Sequence, residues 1–328
     1  MKNRFLGKDF EVSSIGLGCM GFSHAYGTAT DEATAIETIR QAVDMGYTFF
    51  DTAECYIGEN ADGSTSFNEE LVGKALASVR NHVKIATKCG VKHENRRLVL
   101  DSRPETIRQS IEGSLKLLGM DYVDLYYQHR IDPQVTPEEV AGIMAALIKE
   151  GKIHHWGISE TNEEYLRRAH AVCPVTCIQN RYSMMARWHE SLFPVLEELN
   201  IGYVAFSPLA NGILSDAFAK GKQFDKSDYR SAMPQYSDEA FEQNRELLDL
   251  IRGLAAEKKA TPAQISLAWM LGKKPYIVPI PGSRKAERIK ENLGAAEIDL
   301  SADEVRSIDE KLDHMEMSTV FGGSPVKK

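Results

Sequence analysis

The amino-acid sequence predicts a (β/α)₈ TIM barrel, because short apolar or β-branched runs alternate with longer helical patterns eight times. No shift in composition separates these units, and a chain of 328 residues is compatible with one barrel domain. A doubly wound open sheet has the same alternation, so the count alone leaves that architecture open. We therefore predict a single domain over residues 1–328.

The barrel strands and helices are predicted in strict alternation. Strands are expected at 15–18, 48–51, 83–87, 123–128, 154–158, 176–179, 202–206 and 277–279, and helices at 31–45, 68–79, 104–118, 137–150, 163–170, 190–199, 262–271 and 284–295. Residues 4–12 are expected to form a short hairpin that plugs one end, and 302–313 an extra C-terminal helix. The aperiodic stretch 212–239 is expected to be a functional or mobile loop, and 315–328 a polar, glycine-rich tail.

Three helix starts have the pattern of a capping box, in which a Ser or Thr and an acid or amide three residues later satisfy free backbone N–H groups. The patterns are Ser102-x-x-Glu105, Thr136-Pro137-x-Glu139 and Thr261-Pro262-x-Gln264. The two prolines stand at the first helical position, where proline is favoured. The helix 104–118 is expected to pack one apolar face on the sheet, formed by Ile107, Ile111, Leu115 and Leu118.

Charge and composition exclude several classes of function. The chain has 39 Lys and Arg against 47 Asp and Glu, a net charge of −8, which disfavours nucleic acid and membrane surfaces as partners. No apolar run approaches the roughly 18 residues of a membrane span, and the N-terminus lacks a signal-peptide core. Five cysteines without a CxxC pair predict neither a disulfide framework nor a zinc ribbon. We expect a cytoplasmic protein without a bound metal.

A glycine motif, Gly16-x-Gly18-x-x-Gly21, follows the first predicted strand. In a dinucleotide-binding Rossmann unit the third glycine lies in a helix, and an acid follows about 20 residues later. Here the helix begins near residue 31, and the next acid at a strand end, Asp51, comes too late. We expect instead that these glycines let the backbone approach a ligand at the barrel mouth.

Polar side chains stand at the C-terminal ends of three predicted strands. Asp51 ends the second strand, with Tyr56 five residues beyond, Lys88 follows the third and His129 the fourth. A barrel brings all these ends to one mouth, where catalytic groups of such folds lie. The alternative is structural: an ion pair between Asp51 and Lys88, with His129 bonded to a loop carbonyl. Four complementary groups at one rim favour the functional interpretation.

These segments resemble the catalytic tetrad motifs of the aldo-keto reductases: Asp51-Thr52-Ala53-x-x-Tyr56, Ile85-Ala86-Thr87-Lys88 and Leu125-Tyr126-Tyr127-Gln128-His129. The resemblance covers roughly residues 15–295 in the family's order and spacing. It extends to Gly157-Ile158-Ser159, Gln179, Phe206-Ser207-Pro208-Leu209 and Ile280-Pro281-Gly282-Ser283-Arg284. It implies NADPH-dependent reduction of an aldehyde or ketone to the alcohol.

The resemblance implies a role for each tetrad residue. Tyr56 would donate the proton to the carbonyl oxygen, and Lys88 would lower the Tyr56 pKa below its reference value of about 10. Asp51 would hold Lys88 in place and ionised. His129 would hydrogen-bond the carbonyl oxygen and stabilise its developing charge.

The resemblance also implies the contacts of NADP(H). Phe206 would stack on the nicotinamide, Ser159 and Gln179 would bond its carboxamide, and Asp51 would lie near the ribose. Glu160 stands where many relatives have Asn and is assigned no contact. Guanidinium groups at a helix start suit a 2′-phosphate. The remaining expected contacts are Met20 in the first loop, Ser207, Leu209 and Gly212 at the pyrophosphate, Ser283, Arg284 and Arg288 at the 2′-phosphate, and Glu291 and Asn292 at the adenine.

Two other functions remain open from the sequence. One is a regulatory subunit that binds the cofactor with little turnover, and the other is a Schiff-base lyase with Lys88 as nucleophile. The expected partner is a small-molecule carbonyl substrate, whose pocket would be lined by His24, Tyr26, Arg130 and the tail near Phe321. The sequence predicts no oligomeric state.

Overall fold

The fold was determined as a computed structural model that describes residues 2–95, 97–218 and 220–323. The strands are β1 (Asn3–Leu6), β2 (Phe10–Ser13), β3 (Leu17–Gly18), β4 (Phe49–Asp51), β5 (Ile57–Glu59), β6 (Thr65–Phe67), β7 (Lys84–Cys89), β8 (Val91–Glu94), β9 (Arg97–Leu100), β10 (Val123–Gln128), β11 (Ile153–Ser159), β12 (Cys177–Arg181), β13 (Gly202–Phe206) and β14 (Ile277–Pro279). The α-helices are α1 (Glu32–Met45), α2 (Asn68–Leu76), α3 (Pro104–Leu118), α4 (Pro137–Lys149), α5 (Glu163–Val172), α6 (Phe193–Leu199), α7 (Asp238–Gln243), α8 (Arg245–Lys258), α9 (Pro262–Lys273), α10 (Ala286–Gly294) and α11 (Ala302–His314). None of the helices in these ranges is long and apolar enough to cross a bilayer.

The predicted barrel is confirmed. In the described ranges, eight parallel strands pair in the order β14-β13-β12-β11-β10-β7-β4-β3, and each coincides with a predicted strand. The sheet closes on itself where the Gly16 N–H donates to the Pro279 carbonyl at 3.0 Å and the Gly18 N–H to the Pro281 carbonyl at 3.4 Å. A Cβ on Gly18 would lie 2.7 Å from the Ile280 carbonyl oxygen. These glycines were expected to let the backbone approach a ligand. In the structure they let it approach the neighbouring strand instead, and this contact closes the barrel.

The barrel core is divided by the alternation of side chains along each strand. Leu125 and Tyr127 of β10 point into the barrel, whereas Tyr126 between them packs against the surrounding helices. The predicted N-terminal hairpin, β1 with β2, adds Leu6 and Phe10 to the inner cluster and plugs the N-terminal end. The polar residues at the strand ends lie at the opposite, C-terminal end of the barrel.

The N-terminal end of the barrel contains ion pairs that are satisfied within the protein. Asp124 is buried and accepts from Arg80 Nη1 at 2.7 Å and from the Ile85 N–H at 2.9 Å, with Lys84 Nζ at 3.5 Å. Arg4 donates to three backbone carbonyls between residues 271 and 277, at 2.6 to 2.9 Å. These contacts join the first strand of the chain to the end of α9 and β14.

Helix starts match the capping predictions in two of three cases. Thr136 and Thr261 form capping boxes with Glu139 and Gln264. The prediction for Ser102 is wrong, because Pro104 opens α3 and makes the preceding Arg103 the cap position. Buried Ser102 instead accepts from Gln128 Nε2 at 3.1 Å.

Several elements were not predicted. Hairpins β5–β6 and β8–β9 follow two of the barrel strands at the C-terminal end, and helices α7 and α8 precede α9. The stretch 212–239 includes short 3-10 helices, Ala210–Ser215, Tyr229–Ala232 and Pro234–Tyr236. The extra C-terminal helix is confirmed as α11; residues 324–328 of the predicted tail lie outside the described residues.

Candidate active site

The four residues predicted for catalysis meet at the C-terminal end of the barrel. Asp51 is the last residue of β4, Lys88 lies near the end of β7, and His129 directly follows β10. Tyr56 comes from the turn between β4 and β5, and its ring lies 5.8 Å from the His129 ring, nearly perpendicular to it. The strand ends therefore bring the tetrad together as the sequence predicts.

Lys88 is the centre of this group. It is completely buried, and its Nζ donates to Asp51 Oδ1, to the Thr52 carbonyl at 2.7 Å and to the Tyr56 hydroxyl at 3.3 Å. The other Asp51 oxygen accepts from Gln179 Nε2 at 2.7 Å. All three protons of the ammonium are thus used, and one of them is directed at the phenol.

The pKa values in this group depend on burial as much as on charge. Burial acts to lower the pKa of Lys88, but the Asp51 carboxylate and the Tyr56 hydroxyl outweigh it and raise that pKa. Burial raises the pKa of Tyr56 to about 12, although the Lys88 ammonium opposes the rise. The expectation of a Tyr56 pKa below 10 is wrong for this structure, because it considered the ammonium and not the desolvation of the phenolate.

His129 is held as a neutral imidazole. It is 7% exposed, and burial, with the positive charges of Arg130 and Lys88, lowers its pKa well below the ordinary value. Its Nδ1 lies 3.5 Å from the Cys55 sulfur, and burial raises the pKa of that thiol to about 12. The thiol therefore keeps its proton and is able to donate it to Nδ1, the arrangement in which the ring proton is on Nε2.

Aromatic rings surround the Tyr56 hydroxyl on the solvent side. The His24 ring stacks on Tyr56 with centroids 5.9 Å apart, and it also contacts the rings of His93 and Tyr229 at 5.0 and 5.7 Å. Phe321 of the C-terminal segment lies 6.4 Å from Tyr229. The predicted positions of His24 and Phe321 at the mouth are thus found together, whereas His93 and Tyr229 were not predicted.

The residues expected around the nicotinamide have partners within the protein. Gln179 donates to Asp51, as described, and the Ser159 hydroxyl accepts from Arg130 Nη1 at 3.0 Å. The Phe206 ring is half-buried, with the Arg130 and Arg181 guanidinium carbons 5.8 and 5.0 Å from its centroid. The three expected residues lie on adjacent strands β11, β12 and β13.

The segment after β13 has an unusual backbone. Ser207, Ala210 and Asn211 have φ values of 50°, 48° and 60°, a conformation that L-residues rarely adopt. Gly212 has φ 110°, and a Cβ there would lie 2.8 Å from the Phe218 ring. Leu209 is half-buried in the same turn, and its carbonyl accepts from the Gly212 N–H at 2.8 Å. Successive left-handed residues form concave backbone turns of the kind that bind anions.

Arg284 joins the start of α10 to the first loop. Its Nε donates to the Gly21 carbonyl and its Nη1 to the Thr28 carbonyl at 2.9 Å, whereas Nη2 is buried without a partner in the described residues. Arg288 is exposed and pairs with Glu291 at 2.6 Å, so two expected cofactor contacts bind each other. The other predicted residues here are half-buried Met20 and Ser283 and buried Asn292.

Comparisons with known proteins agree with this arrangement. A sequence profile of the Aldo/keto reductase family matches residues 14–313. The chain belongs to the aldo/keto reductase family. A probable aldo-keto reductase from Glycine max is 40% identical over 304 residues, which cover 91% of this chain and 85% of that relative. The protein is therefore an oxidoreductase of a family that generally reduces carbonyl groups with a nicotinamide cofactor.

Solved aldo-keto reductase structures have the same fold. A glycerol dehydrogenase from Gluconobacter oxydans is 27% identical, with a TM-score of 0.83 over 98% of both chains. An aldo-keto reductase from Bacillus halodurans, solved in its holo form, is 27% identical with a TM-score of 0.76 over 95% of this chain and 96% of that one. A thermostable aldo-keto reductase bound to the inhibitor epalrestat is 29% identical, with a TM-score of 0.74 over 94% of this chain and 99% of that one.

The residues of this aldo-keto reductase fit a phosphate-bearing dinucleotide. One buried donor without a partner in the described residues, Arg284 Nη2, lies at the expected 2′-phosphate position. A buried donor or acceptor left unpaired is costly, so such atoms point to a ligand that completes them. The half-buried Phe206 ring supplies an apolar surface for a flat ring.

The sequence prediction missed one charged residue in this region, Arg181. It stands two positions after Gln179 on β12, and alternate strand residues share a face. Since Gln179 was already expected to face the site, the same spacing could have placed Arg181 there. His93 and Tyr229 had no such signal, because they arrive on the unpredicted hairpin β8–β9 and the 212–239 stretch.

Proposed function

We propose that this protein reduces an aldehyde or ketone to the alcohol with NADPH, and that Tyr56 donates the proton. The observation that carries the proposal is the contact of one buried ammonium, Lys88 Nζ, with both Asp51 and the Tyr56 hydroxyl. A carbonyl that receives a hydride at carbon becomes an alkoxide and needs an acid beside its oxygen. Tyr56 is the partly exposed acid of this group, and it faces the mouth where a substrate enters.

Bound NADPH would supply the hydride. Phe206 would hold its nicotinamide, the 207–212 turn its pyrophosphate, and Arg284 with Arg288 its 2′-phosphate. When Tyr56 gives its proton to the carbonyl oxygen, the phenolate left behind is stabilised by the Lys88 ammonium at 3.3 Å. Asp51 keeps that ammonium charged, since it raises the Lys88 pKa against the effect of burial.

His129 would orient the substrate. With Nδ1 occupied by the Cys55 thiol, its Nε2–H is the group free to donate to the carbonyl oxygen. The low pKa of His129 keeps the ring neutral, so it acts as a hydrogen-bond donor and leaves the proton transfer to Tyr56. Such a donor stabilises the charge that develops on oxygen during hydride addition.

The geometry counts against the lyase alternative. A Schiff base needs a neutral amine with a free electron pair. Lys88 is completely buried, all its N–H groups have acceptors, and its pKa is raised, so it remains an ammonium. It fits a role in charge stabilisation.

The proposal is tested with purified protein, NADPH and a panel of aliphatic, aromatic and sugar-derived aldehydes and ketones. We expect NADPH consumption by the wild type and a loss of about 10²- to 10⁴-fold in kcat for Tyr56→Phe, because only the acid is removed. The NADPH Kd, measured by fluorescence titration, should change less than twofold. NADPH binding without turnover on any substrate would establish the regulatory alternative, and a tenfold weaker Kd in Tyr56→Phe would show a structural role for Tyr56.

A further inference from the structure

Arg181 extends into the barrel mouth from the end of β12. Along this strand Cys177 belongs to the cluster inside the barrel, Ile178 packs outside it, and Gln179 reaches Asp51. By the same alternation Arg181 points inward, one pleat above Gln179 and towards solvent. Its position is therefore directly above the tetrad layer.

The Arg181 guanidinium has no counter-ion in the structure. The residue is only 6% exposed, yet none of the described residues places a carboxylate within ion-pair distance or accepts a hydrogen bond from its side chain. Its one aromatic contact is the face of Phe206 at 5.0 Å. The nearest acid, Glu160, instead accepts from the Arg181 backbone N–H at 2.8 Å. None of the Arg181 side-chain nitrogens is among the fully buried unpaired atoms of the described residues, so the guanidinium is open to the barrel mouth and can bind a ligand there.

Arg130, whose guanidinium carbon is 5.8 Å from the centroid of the Phe206 ring, adds a second positive charge. Its Nη1 is fixed by the His129 carbonyl at 2.6 Å and the Ser159 hydroxyl at 3.0 Å, neither of which is charged. Arg130 is joined to His129 through its backbone carbonyl, and both guanidinium carbons lie close to the Phe206 centroid, at 5.8 and 5.0 Å. Two guanidinium groups thus border the space beside the carbonyl-orienting histidine, in a protein whose net charge is −8.

We infer that Arg181, with Arg130, binds an anionic group on the substrate, so that the preferred substrates are aldehydes or ketones bearing a carboxylate or a phosphate. This inference rests on the proposed carbonyl reduction. A planar guanidinium pairs with either anion through two parallel hydrogen bonds, which would also fix the distance of the carbonyl from Tyr56. The two cofactor phosphate positions lie elsewhere, at the 207–212 turn and at Arg284.

The test compares substrates that differ only in charge. Succinic semialdehyde is paired with its methyl ester, and glyceraldehyde phosphate with glyceraldehyde, so that the two pairs distinguish a carboxylate from a phosphate preference. The wild type should favour the anion in at least one pair by about tenfold or more in kcat/KM. Arg181→Met should remove that preference, mainly through KM, and leave the neutral member within about twofold.

Controls separate this inference from the proposed function. Arg306→Met removes an exposed arginine of α11, far in the fold from the mouth, and should leave both substrates unchanged. Arg181→Lys should restore part of the preference, because the charge returns without the planar fork. The NADPH Kd should be equal in wild type and Arg181→Met; a tenfold weaker Kd would assign the guanidinium to the cofactor and overturn the inference.

Each remaining outcome is decisive. If Arg181→Met does not fold, the less buried Arg130→Met provides the same comparison of anion with neutral substrate. Equal kcat/KM for anion and neutral partner in the wild type would overturn the inference while the proposed function stands. Failure to reduce any carbonyl compound, charged or neutral, would instead overturn the proposed function.

Discussion

Buried charged groups have different kinds of partners at the two ends of the barrel. At the N-terminal end, Asp124 is satisfied by Arg80, Lys84 and a backbone N–H, and Arg4 is satisfied by carbonyls. At the C-terminal end a single ammonium contacts both a carboxylate and a phenol, and the buried Nη2 of Arg284 has no partner in the described residues. Complete pairing stabilises a fold, whereas incomplete pairing leaves binding capacity for a ligand.

The backbone shows the same contrast. Asn200 and Lys259, with φ of 53° each, end helices α6 and α8 in the left-handed conformation that is common after a helix. Ser207, Ala210 and Asn211 lie close together after β13, and none of them ends a helix. Such backbone strain costs about 1–3 kcal/mol per residue and is retained mainly at functional sites. The comparison teaches that left-handed residues outside helix ends gather at the C-terminal end of this barrel, whereas buried atoms without partners do not, since Arg80 Nε lacks one at the N-terminal end of the described structure.

The largest effect is expected from Lys88→Met near the end of β7. The same change at the start of this strand, Lys84→Met, serves as its comparison. Lys88→Met removes the ammonium that stabilises the Tyr56 phenolate, so kcat should fall about a hundredfold or more. In alcohol oxidation Tyr56 must act as a base, and its pKa of about 12 should rise further without the opposing charge of Lys88. The rising limb of kcat/KM, measured from about pH 6 to about pH 11, should therefore move to higher pH.

Lys84→Met is the matched control, because Lys84 lies on the same strand but is 42% exposed and 3.5 Å from Asp124. Asp124 keeps its contacts with Arg80 and the Ile85 N–H when Lys84 is replaced, so activity and pH profile should stay at wild-type values. The Lys88→Met protein must still bind cofactor and turn over for this test. If the rising limb of its kcat/KM stays at the wild-type pH, Lys88 does not lower the pKa of Tyr56.

A smaller effect is expected at the proposed 2′-phosphate position. Arg284→Met should weaken NADPH binding about ten- to a hundredfold, since charge-assisted hydrogen bonds contribute about 1.5–3 kcal/mol. The same change frees the Gly21 and Thr28 carbonyls, so NADH affinity should also fall, although less. Isothermal titration with both cofactors measures the two losses.

Arg288→Gln gives the cleaner comparison, because exposed Arg288 contacts only Glu291 on its own helix. NADPH affinity should fall by several-fold to about tenfold, and NADH affinity should not change. Equal losses for both cofactors in this variant would contradict the assignment of α10 to the 2′-phosphate.

The smallest effect is expected at Cys55, which acts on the reaction through His129. Cys55→Ala removes the thiol 3.5 Å from Nδ1, so both tautomers of the ring become populated and kcat should fall by several-fold. Cys55→Ser supplies an O–H donor and should restore most of the activity. Nitrogen chemical shifts of His129 report the tautomer directly; an Nε2-protonated ring in Cys55→Ala would remove the proposed role.

The sequence predicted the features that have short-range signals. Three of the barrel strands are buried runs with a polar residue at or next to the end, and Asp51, Lys88 and His129 follow from that pattern once a barrel is assumed. The missed helix α8 also had a signal, since Leu247, Leu248, Ile251 and Ala255 share one buried face. The end of this helix has no sequence signal, because Lys259 adopts the left-handed conformation where a glycine is usual.

Other features depend on contacts that the sequence does not contain. The Tyr56 pKa is set by burial from several elements, and the pairing of Gln179 with Asp51 joins residues 128 positions apart. Arg284 was predicted to bind a phosphate, but its bonds to Gly21 and Thr28 appear only when the first loop lies beside α10. Long-range electrostatics and loop packing were thus beyond prediction, whereas the identity of the tetrad was not.

Closure of the sheet between Gly16 and Pro279 has a consequence for biosynthesis. The first barrel strand obtains its second neighbour only after almost the whole chain has left the ribosome. At about 5–20 residues per second this interval is on the order of 10 to 60 s. During this time the nascent protein has an unpaired strand edge and exposed apolar side chains. Chaperones bind such features, and the same features promote aggregation. Because the closing strand β14 comes near the end of the chain, the order of the strands determines how long the nascent protein remains open to chaperones.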